Sequence, residues 1–194
     1  MRSTLKNLLI SLIILCLALF LGALSGKFLG QRERAQARKD FSQGILEQMT
    51  QLKIGDTLEN HKFEVLGGDS VWLKDLLSER CVLTVVLPEC NDCITEAQEL
   101  KFAIKDSSDS RHFIFATWDN PRIFEEMKKE TGLVTRFLYD HRRAYFSKYD
   151  ISTFPFNITL NEKGVVLDML SGPMLKEDFE EIINYNKSLA SKRN

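Results

Sequence analysis

Several residue types are scarce in this 194-residue chain. Ten Gly and four Pro are too few for a collagen-like or low-complexity protein, since those classes depend on these residues. Four Cys and three His offer a metal site few ligands. The formal net charge of −1 gives no electrostatic reason to expect a nucleic-acid partner. Hydrophobic residues, at 44%, are plentiful, so the chain has enough apolar surface to build a folded core.

The longest run without a charged residue lies near the N-terminus. The twenty residues Asn7–Gly26 are uncharged, and residues 8–24 are almost entirely Leu, Ile, Ala and Phe. As a helix, such a run spans about 30 Å, the thickness of the hydrocarbon core of a bilayer. Residues 1–29 are therefore predicted to be a transmembrane anchor or a signal segment. The run is longer than the usual apolar core of a cleaved signal peptide, which favours an uncleaved anchor. The alternative is cleavage after the small residues in Ala23–Ser25.

Charge is unevenly distributed along the chain. Residues 1–51 hold seven Lys or Arg and three Asp or Glu, and the basic residues concentrate just after the apolar run. Positive charge prefers the cytoplasmic side, which argues against export of the C-terminal part of the chain. A signal-like N-terminal segment commonly sends the rest of a chain across, however, and the cysteines described below suit an oxidising compartment. We expect a single-pass protein of the inner (cell) membrane, with residues 30–51 as a polar helical stalk and the C-terminal domain on the periplasmic, extracytoplasmic side.

Residues 52–190 alternate between strand and helix patterns. Cys81–Leu87 is an apolar run broken only by Thr84, which is typical of a strand buried on both faces. A turn at Gly67–Ser70 between two short strand patterns predicts a β-hairpin. Further helices and strands are expected in the order helix from 91, strand 112–118, helix 120–129, strand 137–139, helix 143–149, strands 156–160 and 165–170, helix 176–186. This order predicts an α/β fold with a central mixed sheet flanked by helices.

Two cysteines, Cys90 and Cys93, stand where the buried strand passes into the next predicted helix. Free backbone N–H groups and the helix dipole favour a thiolate at that position. Cys90 can then attack a disulfide, and Cys93, one turn further on, can attack the resulting mixed disulfide and release the product. A zinc site would need a second pair of ligands, and a structural disulfide over so short a loop would add little stability. The spacing therefore predicts a redox-active dithiol with no metal and no further cofactor.

A proline directly precedes the predicted strand 156–160. Because it has no N–H to donate to a strand ladder, Pro155 indicates either a sheet edge or a cis peptide bond that turns the chain beside an active site. An ordinary trans turn at Phe154–Pro155 is the alternative.

The order strand, Cys-x-x-Cys, helix, strand, helix, proline, β-hairpin, helix resembles that of thioredoxin-like proteins. Over residues 54–188 the chain is most similar to the membrane-anchored, exported thiol–disulfide oxidoreductases of bacteria, the TlpA/ResA type. The resemblance implies a thioredoxin-like fold with an N-terminal β-hairpin and a strand–helix insertion before the proline. It also implies that Cys90 is the nucleophile and Cys93 the resolving thiol. Pro155 would then be the cis-proline, with Thr153 and Phe154 lying against the bound partner.

Three positions depart from that family. Glu89 stands where a Trp usually precedes the first cysteine, and Phe154 is bulkier than the usual Thr, Val or Ile. Thr84 occupies the position, six residues before Cys90, where thioredoxins carry a buried acid. With that acid missing, Glu89 is our candidate for the proton acceptor of the dithiol.

The charges around the cysteines predict a direction of electron flow. Residues 82–100 contain no Lys or Arg and four acids, Glu89, Asp92, Glu96 and Glu99. Nearby carboxylates disfavour a thiolate, so the dithiol is expected to be reducing. The alternative, for Glu96 and Glu99, is that these acids are solvated and their charges are screened. We expect a reductant of exported, cysteine-containing proteins, supplied by a transmembrane reductant. A peroxiredoxin-like peroxidase and a non-catalytic metal-handling or assembly module on the same fold are the alternatives.

Overall fold

The structure is a computed structural model that describes Leu46 and residues 49–193. The predicted membrane segment 1–29 and nearly all of the predicted stalk 30–51 lie outside these residues. Within the part that is described, no helix is long and apolar enough to cross a membrane.

Seven strands form one mixed sheet in the order β2-β1-β5-β4-β3-β6-β7. The strands are β1 Lys62–Val65, β2 Ser70–Trp72, β3 Cys81–Val85, β4 Phe113–Thr117, β5 Arg136–Tyr139, β6 Phe156–Leu160 and β7 Val166–Ser171. The central strands β3, β4 and β5 run parallel, and the strands outside them pair antiparallel. The predicted N-terminal hairpin is confirmed as β1–β2, in which Phe63 pairs with Val71.

Five α-helices and two 3-10 helices accompany the sheet between residues 73 and 193. The α-helices are α1 Leu73–Leu76, α2 Asn91–Ala103, α3 Ser107–Ser110, α4 Pro121–Thr131 and α5 Lys176–Arg193, and the 3-10 helices are His141–Arg143 and Phe146–Tyr149. Asn120 caps α4 by accepting from the N–H of Arg122, and Pro121 occupies the first turn, where a missing N–H costs nothing.

Both faces of the central strands are buried. In β3, Cys81, Leu83 and Val85 belong to one core, and Val82 belongs to a second core on the opposite face. The second core contains the inner faces of α2, α4 and α5, whereas the first is covered by the hairpin side of the domain and the 3-10 helices. This double burial explains why the sequence of β3 is continuously apolar rather than alternating.

The structure corrects three details of the predicted elements. In place of the helix expected at 143–149 the structure has two short 3-10 helices. The buried carboxylate of Asp140 accepts hydrogen bonds from the N–H groups of Tyr145 and Phe146. These two donors are therefore not available for the hydrogen bonds of a continuous α-helix. The last helix extends to Arg193 rather than ending at 186. The short helix α3, capped by Asp106, has no counterpart in the prediction.

Candidate active site

Cys90 is the N-cap residue of α2, directly after the turn that leaves β3. Its Sγ accepts a hydrogen bond from the backbone N–H of Cys93 at 3.3 Å, and its carbonyl oxygen accepts from the N–H of Ile94 at 3.1 Å. The sulfur is half-buried and therefore reachable from solvent. A thiolate here receives hydrogen bonding from the first turn of the helix, which favours its charge.

The Phe154–Pro155 peptide bond is cis, as one of the two sequence interpretations expected. It lies against the dithiol, because the Cys90 Sγ is 3.7 Å from the carbonyl oxygen of Phe154. Pro155 is buried, and its carbonyl oxygen accepts a hydrogen bond from the N–H of Gly172 at 2.9 Å. Thr153 is half-buried, and its hydroxyl lies 3.0 Å from that of Ser171. Tertiary structure thus brings residues more than sixty positions apart into one site.

Cys93 lies inside the helix and has no exposed surface. Burial raises the pKa of its thiol well above the ordinary value, and hydrogen bonding to Cys90 and the negative charge of Glu96 raise that pKa further. Cys81, Cys90 and Cys93 are all free thiols, so the structure corresponds to the reduced dithiol. The exposed sulfur is thus able to meet a partner, while the buried one reacts only after a proton has been removed.

A buried carboxyl group, Glu96, lies one helical turn beyond Cys93. It is fully buried, and burial raises its pKa to about 7, against the opposing effect of hydrogen bonds from Asn157 and Met174. The Nδ2 of Asn157 donates to Glu96 Oε2 at 3.0 Å, and the N–H of Met174 donates to the same oxygen at 2.9 Å. The other oxygen, Oε1, is buried without a hydrogen-bond partner among residues 49–193. A carboxyl in this state can exchange a proton near neutral pH.

These positions revise the expectations for the nearby acids. Glu96 is not solvated and screened, as the alternative for it supposed, because it lies on the face of α2 that packs against the sheet and α5. Glu99 is half-buried, and its carboxylate accepts from the N–H of Lys176 at 3.3 Å. Glu89 is exposed on the turn before Cys90.

Thr84, at the position of the missing thioredoxin acid, belongs to the same buried network. Its hydroxyl donates to Asn157 Oδ1 at 2.7 Å, which leaves the Nδ2 of Asn157 directed at Glu96. A buried acid is therefore present, but α2 supplies it instead of β3.

Comparisons with protein-family profiles and with curated protein sequences find no match. Solved structures do match. A candidate protein disulfide isomerase from Bacteroides thetaiotaomicron has a TM-score of 0.59 at 19% identity, over 70% of this chain and 89% of its own. The thioredoxin domain of a thiol-disulfide oxidoreductase from Bacteroides vulgatus has a TM-score of 0.57 at 16% identity, over 69% and 97%. The peroxidoxin BcpB from Mycobacterium tuberculosis has a TM-score of 0.58 at 16% identity, over 71% and 97%.

The fold is thioredoxin-like. This confirms the fold that the resemblance implied, with a mixed sheet flanked by helices. At these identities the likeness concerns the fold, and the reaction depends on the residues that the site holds.

In this thioredoxin-like domain, sequence reasoning located both cysteines and the proline but missed their surroundings. Glu96 had a detectable signal, since it shares a helix face with Cys93, Ala97 and Leu100, three apolar residues at helical spacing. Trp118 follows a predicted core strand, which indicates a core or site-rim aromatic, but only the fold places the centroid of its ring 5.2 Å from that of Phe154.

Cys81 and the histidines take no part in the dithiol site. Cys81 is fully buried at the start of β3, and burial raises the pKa of its thiol to about 12, so it is unreactive near neutral pH. His112 is buried and its ring lies 2.8 Å from the Ser78 hydroxyl. In the described part of the chain, no group of three or more His, Cys, Asp or Glu is arranged to hold a metal ion.

Proposed function

We propose that this protein is a membrane-tethered, extracytoplasmic thiol–disulfide oxidoreductase that reduces disulfides in exported proteins. One observation carries the proposal. The half-buried sulfur of Cys90 caps a helix, 3.7 Å from the carbonyl of a cis X-Pro peptide, with a buried second thiol one turn behind it. That arrangement can accept an extended partner chain and exchange sulfur–sulfur bonds with it.

The proposed reaction has two exchange steps. The Cys90 thiolate attacks one sulfur of the partner's disulfide and forms a mixed disulfide, while the partner's other sulfur leaves as a thiolate and takes up a proton. Cys93 then loses its proton, attacks Cys90 Sγ and forms the Cys90–Cys93 disulfide, which releases the partner's second thiol. Two electrons pass to the partner, and a transmembrane dithiol reductant returns the pair to its reduced state.

Glu96 is the proposed proton acceptor for Cys93, in place of Glu89. It lies close enough that its charge raises the pKa of the Cys93 thiol, and its own pKa of about 7 suits exchange of a proton near neutral pH. Glu89 is exposed and can therefore be tested separately.

The burial of Cys93 supports the proposed direction of electron flow. A DsbA-like oxidant depends on a strongly stabilised thiolate in its reduced form. Here the second thiol, Cys93, is buried near the carboxyl of Glu96, and both disfavour its ionisation. The reduced dithiol consequently gives up its electrons more readily than that of an oxidant.

The proposed tether rests on the sequence of residues 1–51, which contains an uncharged run of membrane length. A dithiol fixed to the outer face of a membrane meets exported chains as they emerge, and it stays within reach of a reductant in the same membrane. Secreted and periplasmic chains are the ones that carry disulfides.

Partner trapping in the full-length chain tests the proposal. In cells that express Cys93→Ser, Cys90 should accumulate as mixed disulfides with partners, visible as adducts that disappear on reduction. Cys81→Ser in the same background is the matched control and should leave the adducts unchanged, since Cys81 is fully buried. Adducts that are absent in Cys93→Ser, or that persist in Cys90→Ser/Cys93→Ser, would contradict the proposed exchange.

Location is tested with a membrane-impermeant maleimide applied to intact cells. Cys90 should be labelled without permeabilisation, and the labelled chain should stay with the membranes after an alkaline wash. Labelling that requires permeabilised cells would overturn the extracytoplasmic assignment, and release by the wash would overturn the tether.

A peroxidase is the second candidate, because a peroxidoxin is among the similar structures. Peroxide reduction needs a single peroxidatic cysteine, and its loop is expected to read Pro-x-x-x-Thr/Ser-x-x-Cys, whereas this chain has Pro88 two residues before Cys90. Consumption of hydrogen peroxide as fast as reduction of a protein disulfide would favour the peroxidase.

A further inference from the structure

Arg143 lies behind the dithiol site at the end of the first 3-10 helix. The Cζ of its guanidinium is 4.5 Å from the ring centroid of Trp118, and Nη2 donates to the carbonyl oxygen of Ile151 at 2.8 Å. Its Nε is buried and has no hydrogen-bond partner in residues 49–193. The backbone φ of 56° is in the left-handed region, which is uncommon for a residue with a side chain. Arg142 shares this backbone conformation, so the feature that calls for an explanation at Arg143 is its buried donor without a partner.

The ring that Arg143 covers, that of Trp118, also contacts a residue of the dithiol site. Trp118 comes directly after β4, and its ring meets that of Phe154 edge to face, with the centroids 5.2 Å apart and the planes at 68°. The carbonyl oxygen of the same Phe154 is the group that lies 3.7 Å from Cys90 Sγ. Three successive contacts therefore connect the guanidinium of Arg143 to the sulfur that meets the partner.

These contacts are of kinds that fix orientation. A guanidinium over an indole face is attracted by the negative charge of the ring face, and the attraction grows when the pair is shielded from water. Edge-to-face aromatic pairs also have a preferred geometry. Trp118 is further restrained by Phe146, whose ring centroid is 5.8 Å away. Without the cation on its face, the indole would lose one of these restraints, and with it part of the support of the half-buried Phe154.

We propose that Arg143 is a positioning residue for disulfide exchange, which holds Trp118 against Phe154 so that Phe154 presents its ring and its carbonyl beside Cys90 to a partner chain. The inference rests on the proposed function, because it concerns how that site aligns a polypeptide. A partner that lies along residues 153–154 depends on this alignment. A small disulfide that reaches only the Cys90 sulfur does not.

Arg142 provides a matched control. It precedes Arg143 in the same 3-10 helix, carries the same charge and has a similar backbone φ of 60°. Its side chain is exposed. A general effect of charge or backbone strain in this segment would appear equally at both arginines, whereas an effect transmitted through Trp118 would appear only at Arg143.

The test compares two disulfides as substrates for the reduced full-length protein, insulin and bis(2-hydroxyethyl) disulfide. Arg143→Gln, which removes the cation from the face of the Trp118 ring, should slow the reduction of insulin about fivefold and leave the small disulfide unaffected. Arg143→Lys should restore most of the rate, since it retains a cation. Arg142→Gln should match the unmodified protein with both substrates.

Trp118→Leu keeps the arginine but removes the ring, and it should reproduce the selective loss with insulin. Equal slowing of both substrates by Arg143→Gln, or no difference between Arg143→Gln and Arg142→Gln, would overturn the positioning role. Full activity with insulin in the Trp118→Leu variant would contradict the claim that Arg143 acts on Phe154 through Trp118. If the unmodified protein reduces neither disulfide, the proposed function fails, and this inference fails with it.

Discussion

Among single residues, Glu96 is the one whose environment differs most from that of an ordinary acid. Its carboxyl has no exposed surface, one of its oxygens accepts two hydrogen bonds, and the other is buried without a partner in the described chain. Burial makes the charged form expensive, so the group stays protonated up to about pH 7. A group that is half-protonated at neutral pH can both accept and return a proton.

Glu96→Gln should slow the second exchange step, in which Cys93 displaces the partner. In the unmodified protein this step should accelerate as the pH rises through about 7, because the deprotonated carboxylate then becomes available to accept the Cys93 proton. In the variant the transition near pH 7 should vanish, leaving only the steady rise from direct deprotonation of Cys93, and the rate just above that pH should fall by about a hundredfold. Rapid-quench alkylation of a preformed mixed disulfide measures this step directly.

Glu99→Gln is the matched control for that experiment, since Glu99 lies one turn further along α2 and is half-buried. It should leave the pH profile unchanged. If Glu89→Gln removes the pH dependence and Glu96→Gln does not, the proton acceptor is the exposed acid that the sequence favoured.

Folding stability should also record the state of Glu96. Its folded pKa of about 7 lies above its unfolded value of 4.5, so the folded state binds the proton more tightly. This contribution to stability is complete below the unfolded pKa and declines as the pH rises through the folded one. From about pH 5 to about pH 8, the reduced protein should lose about 2 kcal/mol relative to Glu96→Gln. Urea unfolding of both proteins across that range provides the measurement, and parallel pH curves would contradict the assigned pKa.

Between elements, the segment before the first strand is attached to the segment that leads into the site. The hydroxyl of Thr50 donates to the carbonyl oxygen of Tyr149 at 2.6 Å, and the N–H of Gln51 donates to the same oxygen at 3.0 Å. Ser152 donates from its hydroxyl to the Met49 carbonyl at 3.3 Å. Residues 149–152 immediately precede Thr153, so residues 49–51 help to hold the approach to the cis-proline.

Thr50→Val should destabilise the domain by about 1–2 kcal/mol, because it leaves the Leu52 N–H without its acceptor and removes one donor from Tyr149. The free energy of unfolding in urea gives the value. Ser152→Ala, at an exposed position with a longer bond, is the comparison and should change stability by less than about 0.5 kcal/mol. Equal losses of stability in the two variants would contradict the larger contribution assigned to the Thr50 hydrogen bonds.

For the molecule as a whole, the reduction potential summarises the environment of the dithiol. The reduced form has a buried second thiol whose pKa is raised by burial, by hydrogen bonding with Cys90 and by Glu96, so ionisation of Cys93 does not stabilise it. The proposed function as a reductant requires a comparatively stable disulfide form.

We expect a potential below about −200 mV, far from the value of about −120 mV that is typical of DsbA. Equilibration with dithiothreitol redox buffers, followed by alkylation of the free thiols, measures it. A value close to that of DsbA would contradict the assignment as a reductant, although it would leave the exchange chemistry intact.

Local signals explain what could be predicted. The continuous apolar run of β3, the glycine-containing turn of the β1–β2 hairpin and the helix that begins after Cys90 all depend on neighbours in the sequence, and all three are present. The helix expected at 143–149 failed because Asp140, outside that window, captures the N–H groups of Tyr145 and Phe146. Glu89 was the proton acceptor proposed from the sequence, because the charges alone do not reveal that Glu96 is buried and Glu89 is exposed.

The amino-acid sequence by itself therefore determined the order of elements, the spacing of the two thiols and the proline that comes after them, since these depend on periodicity and on the chemistry of adjacent residues. Only the tertiary structure decided which acid is buried, which peptide carbonyl faces Cys90 and which arginine supports the aromatic residues behind it. Those features arise where β3, α2, β4 and the segment before β6 meet. Burial and contact between distant segments are properties of the packed chain, and no window of neighbouring residues contains them.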